Sequence, residues 1–145
     1  MLKNYINDQV VEVNVEVKNW EEAVRLGGKL LEEDGAVEHS YIDAMVDTVK
    51  NMGPYIVIAP GIAMPHARPE TGAKNIRIGL LKLKNPVNFG NEEHDPVDIV
   101  IFLCAVDNKA HIEVLGELVQ LIEDDDFLKI VRNASTKKEI LDYIK

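Results

Sequence analysis

The sequence predicts an α/β sandwich, a layered sheet with helices on its faces, folded as one domain over residues 1–145. Three observations predict it. Valines alternate with polar residues from Val10 to Val17, a continuous apolar run occupies Val97 to Val106, and segments of helical period separate and follow these runs. A chain of 145 residues that is 46% hydrophobic is long enough to bury one full core.

The elements follow in order. Val10 to Val17 reads as a half-buried or edge strand, valines on one face and Glu12, Asn14 and Glu16 on the other. Asn19 with Glu22 three residues later marks a helix start. Trp20, Ala23, Val24, Leu30 and Leu31 form its apolar stripe, and Gly35 stops it. A second helix runs from about Glu38 to Asn51, with Tyr41, Ile42, Met45, Val46 and Val49 at i, i+3, i+4 spacing, until Gly53-Pro54. Tyr55 to Ala59 and Ile76 to Leu83 read as strands separated by a loop rich in Pro and Gly. Val97 to Val106 has the composition of a central strand buried on both faces. Asp107-Asn108 opens a helix through Ile122, a short helix spans about Asp126 to Val131, and Thr136 with Glu139 opens a last helix ending near Ile144.

Composition narrows the function. Sixteen Lys and Arg against twenty-five Asp and Glu give a net charge of −9, which argues against nucleic acid or an anionic membrane as the main partner. The single cysteine, Cys104, has no internal disulfide partner, the N-terminal residues lack the pattern of a signal peptide, and no apolar run is long enough to cross a bilayer. A reducing cytoplasm is the expected location.

The residue that invites chemistry is His66, at the end of Ala59-Pro-Gly-Ile-Ala-Met-Pro65. Pro60 and Pro65 fix φ and remove backbone donors, while Gly61 permits a turn closed to other residues, so the imidazole sits on a stiff support. A second imidazole, His111, follows the predicted central strand. With Asn108 as N-cap it falls at the third helical position, where unpaired N–H groups and the helix dipole favour an anion. Together they suggest a nucleophilic imidazole beside a group that stabilises a transferred anion. The plain alternative is a packed or solvated histidine at each place. Phosphoryl transfer suits these parts, being mostly positioning and charge stabilisation. The chain has no Gly-rich loop ending in Gly-Lys-Ser or Gly-Lys-Thr and no kinase signature, so a phosphorylated protein fits better than ATP as donor, and no cofactor is expected.

Other candidates read more plainly. His94 lies in a polar, turn-prone stretch and His39 at a helix start, both consistent with solvated residues. A metal site of His66, His94 and His111 with an acid lacks any HxH, HExxH or CxxC spacing, and no metal is expected. Cys104, in an apolar strand without a nearby cation, reads as core. Arg68 can pair with a phosphate on His66 or attract an acidic partner, or simply be solvated. Glu123 to Asp126 reads as a solvated break between helices.

Gly61-Ile-Ala-Met-Pro-His66, the turn Pro86-Val-Asn-Phe-Gly90, Asp95-Pro-Val-Asp-Ile-Val100 and Val106-Asp-Asn-Lys-Ala-His111 together resemble the mannitol/fructose-type EIIA domain of the bacterial sugar phosphotransferase system. The resemblance covers nearly the whole chain. The string from Gly53 to Glu70 is most similar to the ascorbate-type branch. The resemblance implies a mixed, mostly parallel sheet flanked by helices on both faces. It implies that His66 accepts a phosphoryl group on Nε2 from HPr and passes it to a cysteine of the cognate EIIB, serving a membrane EIIC permease, with His111 stabilising the group. Where the mannitol and fructose branch has an arginine sixteen residues before the nucleophile, this chain has Lys50, a point charge without bidentate geometry. Ile62 and Met64, beside the loop, are candidates for an apolar docking surface, Met64 equally for the core.

Two roles fit. One is a phosphoryl carrier in sugar uptake, with ascorbate indicated by the branch. The other is a regulatory interaction module of the same fold that reports phosphorylation of His66. A third reading, a metal-dependent hydrolase, requires stoichiometric metal.

Overall fold

Strand β5 (Val97–Cys104) is apolar along almost its whole length and lies in the middle of a five-stranded sheet, as an uninterrupted hydrophobic run demands. The computed structural model describes residues 2–144, one residue short of the 1–145 range at each end. β1 (Val11–Val15), β2 (Val57–Ala59), β3 (Ile62–Ala63) and β4 (Arg77–Val87) complete the sheet in the order β1-β4-β5-β3-β2. The alternating valine segment is an edge strand, as expected.

The sheet is mixed, but parallel pairing does not predominate. β1 with β4 and β3 with β5 are parallel, whereas β2 with β3 and β4 with β5 are antiparallel. The connections explain this: two residues join β2 to β3 and residues 88–96 join β4 to β5, too few for the helical crossover that parallel neighbours need. The strand expected from Tyr55 begins at Val57, because Gly53–Ile56 form a 3-10 turn. β3, read from sequence as part of the histidine loop, is held by partners on both sides.

Helices cover both faces. α1 (Trp20–Glu33) and α2 (His39–Met52) pack on each other and on one face; α3 (Asn108–Ile122), α4 (Asp125–Asn133) and α5 (Lys137–Tyr143) cover the other. Alternation along β5 divides the core. Phe102 points toward α1, where a Cβ on Gly27 would lie 2.0 Å from its ring, so the helix approaches only because that position is glycine. Ile101 points the other way and meets Leu80, Leu118 and Phe127. α1 begins as the sequence predicts, with Asn19 Oδ1 accepting the Glu22 N–H at 2.9 Å. Part of the acidic break is structural: Asp124 caps α4 and accepts the Tyr143 hydroxyl.

Candidate functional site

Two parallel neighbours bring the histidines together. β3 and β5 run side by side with Ala63 opposite Val100, so the chain leaving each emerges at the same edge of the sheet. From β3 it passes through Met64-Pro65 to His66; from β5 it passes through Ala105-Val106-Asp107 into α3 and His111. The imidazole centroids lie 5.4 Å apart with the rings tilted by 55°. Both rings line a cleft of about 350 Å³, shared with Thr48, Met52, Ala67, Arg68, Pro69 and Asn108.

The support beneath His66 is as stiff as its sequence suggests. Gly61 takes φ 75°, its N–H bonds the His94 carbonyl at 2.9 Å, and its own carbonyl receives the Asp98 and Ile99 N–H groups. Arg132 pairs with Asp98 and donates to the Pro60 carbonyl, closing over the same turn. The Met64 N–H donates to Ile56 at 2.8 Å. His66 Nδ1 then lies 2.9 Å from the Met64 carbonyl. A carbonyl can only accept, so Nδ1 carries the proton and Nε2 the lone pair. The ring nitrogen left with a lone pair, Nε2, is thereby selected.

His111 stands differently from expectation. Asp107, not Asn108, is the N-cap: its carboxylate accepts the Ala110 N–H at 2.8 Å, and its carbonyl accepts the His111 N–H at 3.1 Å. His111 is therefore the fourth helical residue and its N–H belongs to the helix ladder. The capping carboxylate also offsets the positive end of the dipole. The polar groups that this helix start offers the cleft are therefore side chains more than backbone N–H groups. Burial, and secondarily the neighbouring His66, hold the His111 pKa below the usual histidine value, favouring the neutral ring.

The remaining candidates separate. Arg68 is in the cleft, and its guanidinium forms no ion pair among the described residues. Lys50 is not in the cleft: its ammonium lies 3.6 Å from Glu21. The helix period accounts for this, since Lys50 is about 200° around α2 from Thr48, which does line the cleft. Ile62 and Met64 are buried, 0% and 5% exposed, so they offer no docking surface. The apolar side chains exposed near the histidines are Met52, Val106 and Ile112. His94 lines a separate cleft with Pro60 and Arg132, and His39 pairs with Glu32. Among the described residues no group of three or more His, Cys, Asp or Glu is placed to hold a metal. Burial pushes the Cys104 thiol up to about 12, which keeps it protonated and unreactive.

Sequence reasoning missed Tyr41, Thr48 and Met52 as neighbours of the site. The signal was present: with Met45 they form an i, i+4, i+7, i+11 stripe, and a hydroxyl on such an apolar stripe has to find a partner. Thr48 donates to the Ala44 carbonyl at 2.8 Å, and Tyr41 bonds beneath His66.

A mixed sheet flanked by helices, with two imidazoles meeting at the ends of adjacent parallel strands, defines an α/β domain with a paired-histidine cleft. The chain belongs to the family described as phosphoenolpyruvate-dependent sugar phosphotransferase system, EIIA 2, which it matches over residues 4–145. It is 43% identical over 135 residues to the ascorbate-specific PTS system EIIA component of Escherichia coli K12, covering 92% of this chain and 88% of the relative. It resembles the solution structure of the mannitol-specific cryptic phosphotransferase enzyme IIA of Escherichia coli, with a TM-score of 0.88, 34% identity, and coverage of 97% of this chain and 95% of that one. The complex of enzyme IIAMTL and phosphorylated enzyme IIBMTL from Escherichia coli contains a further neighbour, with a TM-score of 0.83, 26% identity and 94% of each chain covered. No helix among the described residues is long and apolar enough to cross a membrane.

Proposed function

We propose that the protein carries a phosphoryl group on His66 in the uptake of a sugar, and that the sugar is ascorbate. The observation that carries this reading is the hydrogen bond from His66 Nδ1 to the Met64 carbonyl, because it reserves the Nε2 lone pair for attack. In the step proposed, Nε2 forms a P–N bond as the bond between phosphorus and the phospho-HPr histidine breaks; Nδ1 keeps its proton throughout. The group then passes to a cysteine thiolate of the cognate EIIB, and the P–N bond breaks as the P–S bond forms. Neutral His111, across the cleft, donates a hydrogen bond to the phosphoryl oxygens, and Arg68 neutralises part of their charge.

Identity to an ascorbate-specific relative supports the sugar, and the likeness to a IIA protein in complex with phosphorylated IIB supports the partner. The sugar itself need not touch this chain; a membrane EIIC would hold it. The expected location is the cytoplasm, where HPr and the EIIB domain meet it. Phosphorylating the protein with phospho-HPr, removing the donor and adding the EIIB cognate to the ascorbate permease tests the reading. Phosphate should move to the EIIB cysteine. Retention on His66 would favour the regulatory module instead.

A further inference from the structure

Beneath His66 lies a buried hydroxyl that the transfer chemistry does not use. Tyr41, on the first turn of α2, is 0% exposed. Its oxygen is 2.8 Å from the Leu103 carbonyl, 3.1 Å from the Ala67 N–H and 3.2 Å from the Ala67 carbonyl. One phenolic proton serves one strong bond, so the hydroxyl donates to Leu103 and accepts from Ala67.

The peptide bond between His66 and Ala67 contains that N–H. Holding it fixes ψ of His66 and with it the plane from which the imidazole projects. Leu103 belongs to the strand that leads through Cys104 to Val106 into α3. One oxygen thus ties the segment carrying His66 to the segment leading to His111. The same helix start anchors the rest of the loop, with Glu38 N–H on the Gly72 carbonyl at 2.8 Å and the Ser40 hydroxyl on the Thr71 carbonyl at 2.7 Å. Pro65 and the Met64 bonds restrain His66 from its N-terminal side; among the described residues, Tyr41 alone hydrogen-bonds the peptide immediately after it. We propose that Tyr41 is a positioning residue for phosphoryl transfer, its hydroxyl locking the His66–Ala67 peptide and setting the spacing of the two imidazoles. This rests on the phosphocarrier reading of His66. Burial pushes the hydroxyl well above the ordinary tyrosine range, so the bond persists over the pH range of transfer.

Tyr41→Phe keeps the ring and the packing and removes the oxygen. The expected result is a folded protein whose kcat for accepting phosphate from phospho-HPr falls about tenfold, within the hundredfold that misplacement by about 1 Å can cost, at unchanged KM. Nitrogen-15 spectra of its His66 ring should show a mixture of tautomers in place of one Nδ1–H form. Phe127→Leu, a core change on the opposite face of the sheet, should lower stability while leaving both readouts at wild-type values. A Tyr41→Phe protein with wild-type kcat and wild-type His66 nitrogen shifts would overturn the proposal. Should that variant fail to fold, hydrogen exchange of the Ala67 amide in the wild-type protein decides: protection supports the bond, and exchange as fast as an exposed loop amide overturns it. If wild-type protein accepts no phosphate, the carrier reading fails, while the nitrogen spectra still judge what Tyr41 holds.

Discussion

His66 and His111 face each other with ring centroids 5.4 Å apart, although they follow different strands, β3 and β5, that end side by side. At that separation a phosphoryl group on one ring is within hydrogen-bond reach of the other, whereas two protonated rings would repel. The pair is therefore suited to an anion held between the two rings.

Removing the second ring tests its share. His111→Ala should fold normally, because the side chain is only half-buried and its backbone N–H stays in the helix ladder. Loss of one donor to the transferred group should slow phosphoryl transfer on the order of a hundredfold. Rapid-quench transfer from phospho-HPr, alongside a thermal melt, checks both halves.

The His111 ring should also titrate below its ordinary range. Burial first, then His66, lower the His111 pKa, so a proton-resolved titration should find it below about 6.5. His66→Gln removes the smaller cause and should move that titration upward without restoring the ordinary value. A folded pKa below the unfolded one means that the unfolded chain takes up its proton first as pH falls. The contribution of His111 to stability is then complete above about pH 6.5 and declines as pH drops from there to the folded pKa. Denaturant melts of wild type and His111→Gln across pH 5 to 8 should diverge in that direction.

Arg68 and Lys50 should behave oppositely. Arg68→Ala removes the guanidinium lining the cleft and should slow phosphate acceptance about tenfold or more. Lys50→Ala breaks only a long, exposed pair with Glu21 and should leave transfer within about twofold and stability within about 0.5 kcal/mol. Steady-state transfer assays of the two variants provide the comparison.

Two glycines predict opposite signs for one substitution. Gly27→Ala drives a methyl into the Phe102 ring and should destabilise by about 1–3 kcal/mol despite better helix propensity. Gly116→Ala, in α3 with nothing within 4 Å of the added Cβ, should stabilise by about 0.5–1 kcal/mol. Urea unfolding of both measures the difference.

Local patterns were legible in the sequence where a local cause governs them. Valine alternation announces β1, the unbroken apolar run announces β5, and Asn19 with Glu22 marks the start of α1. His66 was legible because prolines and a glycine cluster beside it. What the sequence obscured depends on distant partners. β3 is two residues long and exists because Ile62 and Ala63 meet Ile99 and Val100 on one side and β2 on the other. That pairing also buries Ile62, which reads as a docking residue when the loop is considered alone. Asp107 and Asn108 are both good caps, and nothing local chooses between them. Tyr41 reads as one more apolar position on α2 until the fold brings Ala67 and Leu103 to its hydroxyl.

Every step proposed for this protein depends on Nε2 of His66 carrying the phosphoryl group. Incubating wild type and His66→Ala with phospho-HPr, then reading phosphorus and nitrogen spectra of the products, decides it. Wild type should carry one acid-labile, base-stable phosphoryl group on Nε2 of His66, and the variant none. Label retained by His66→Ala, or found on another residue of the wild-type protein, would contradict it.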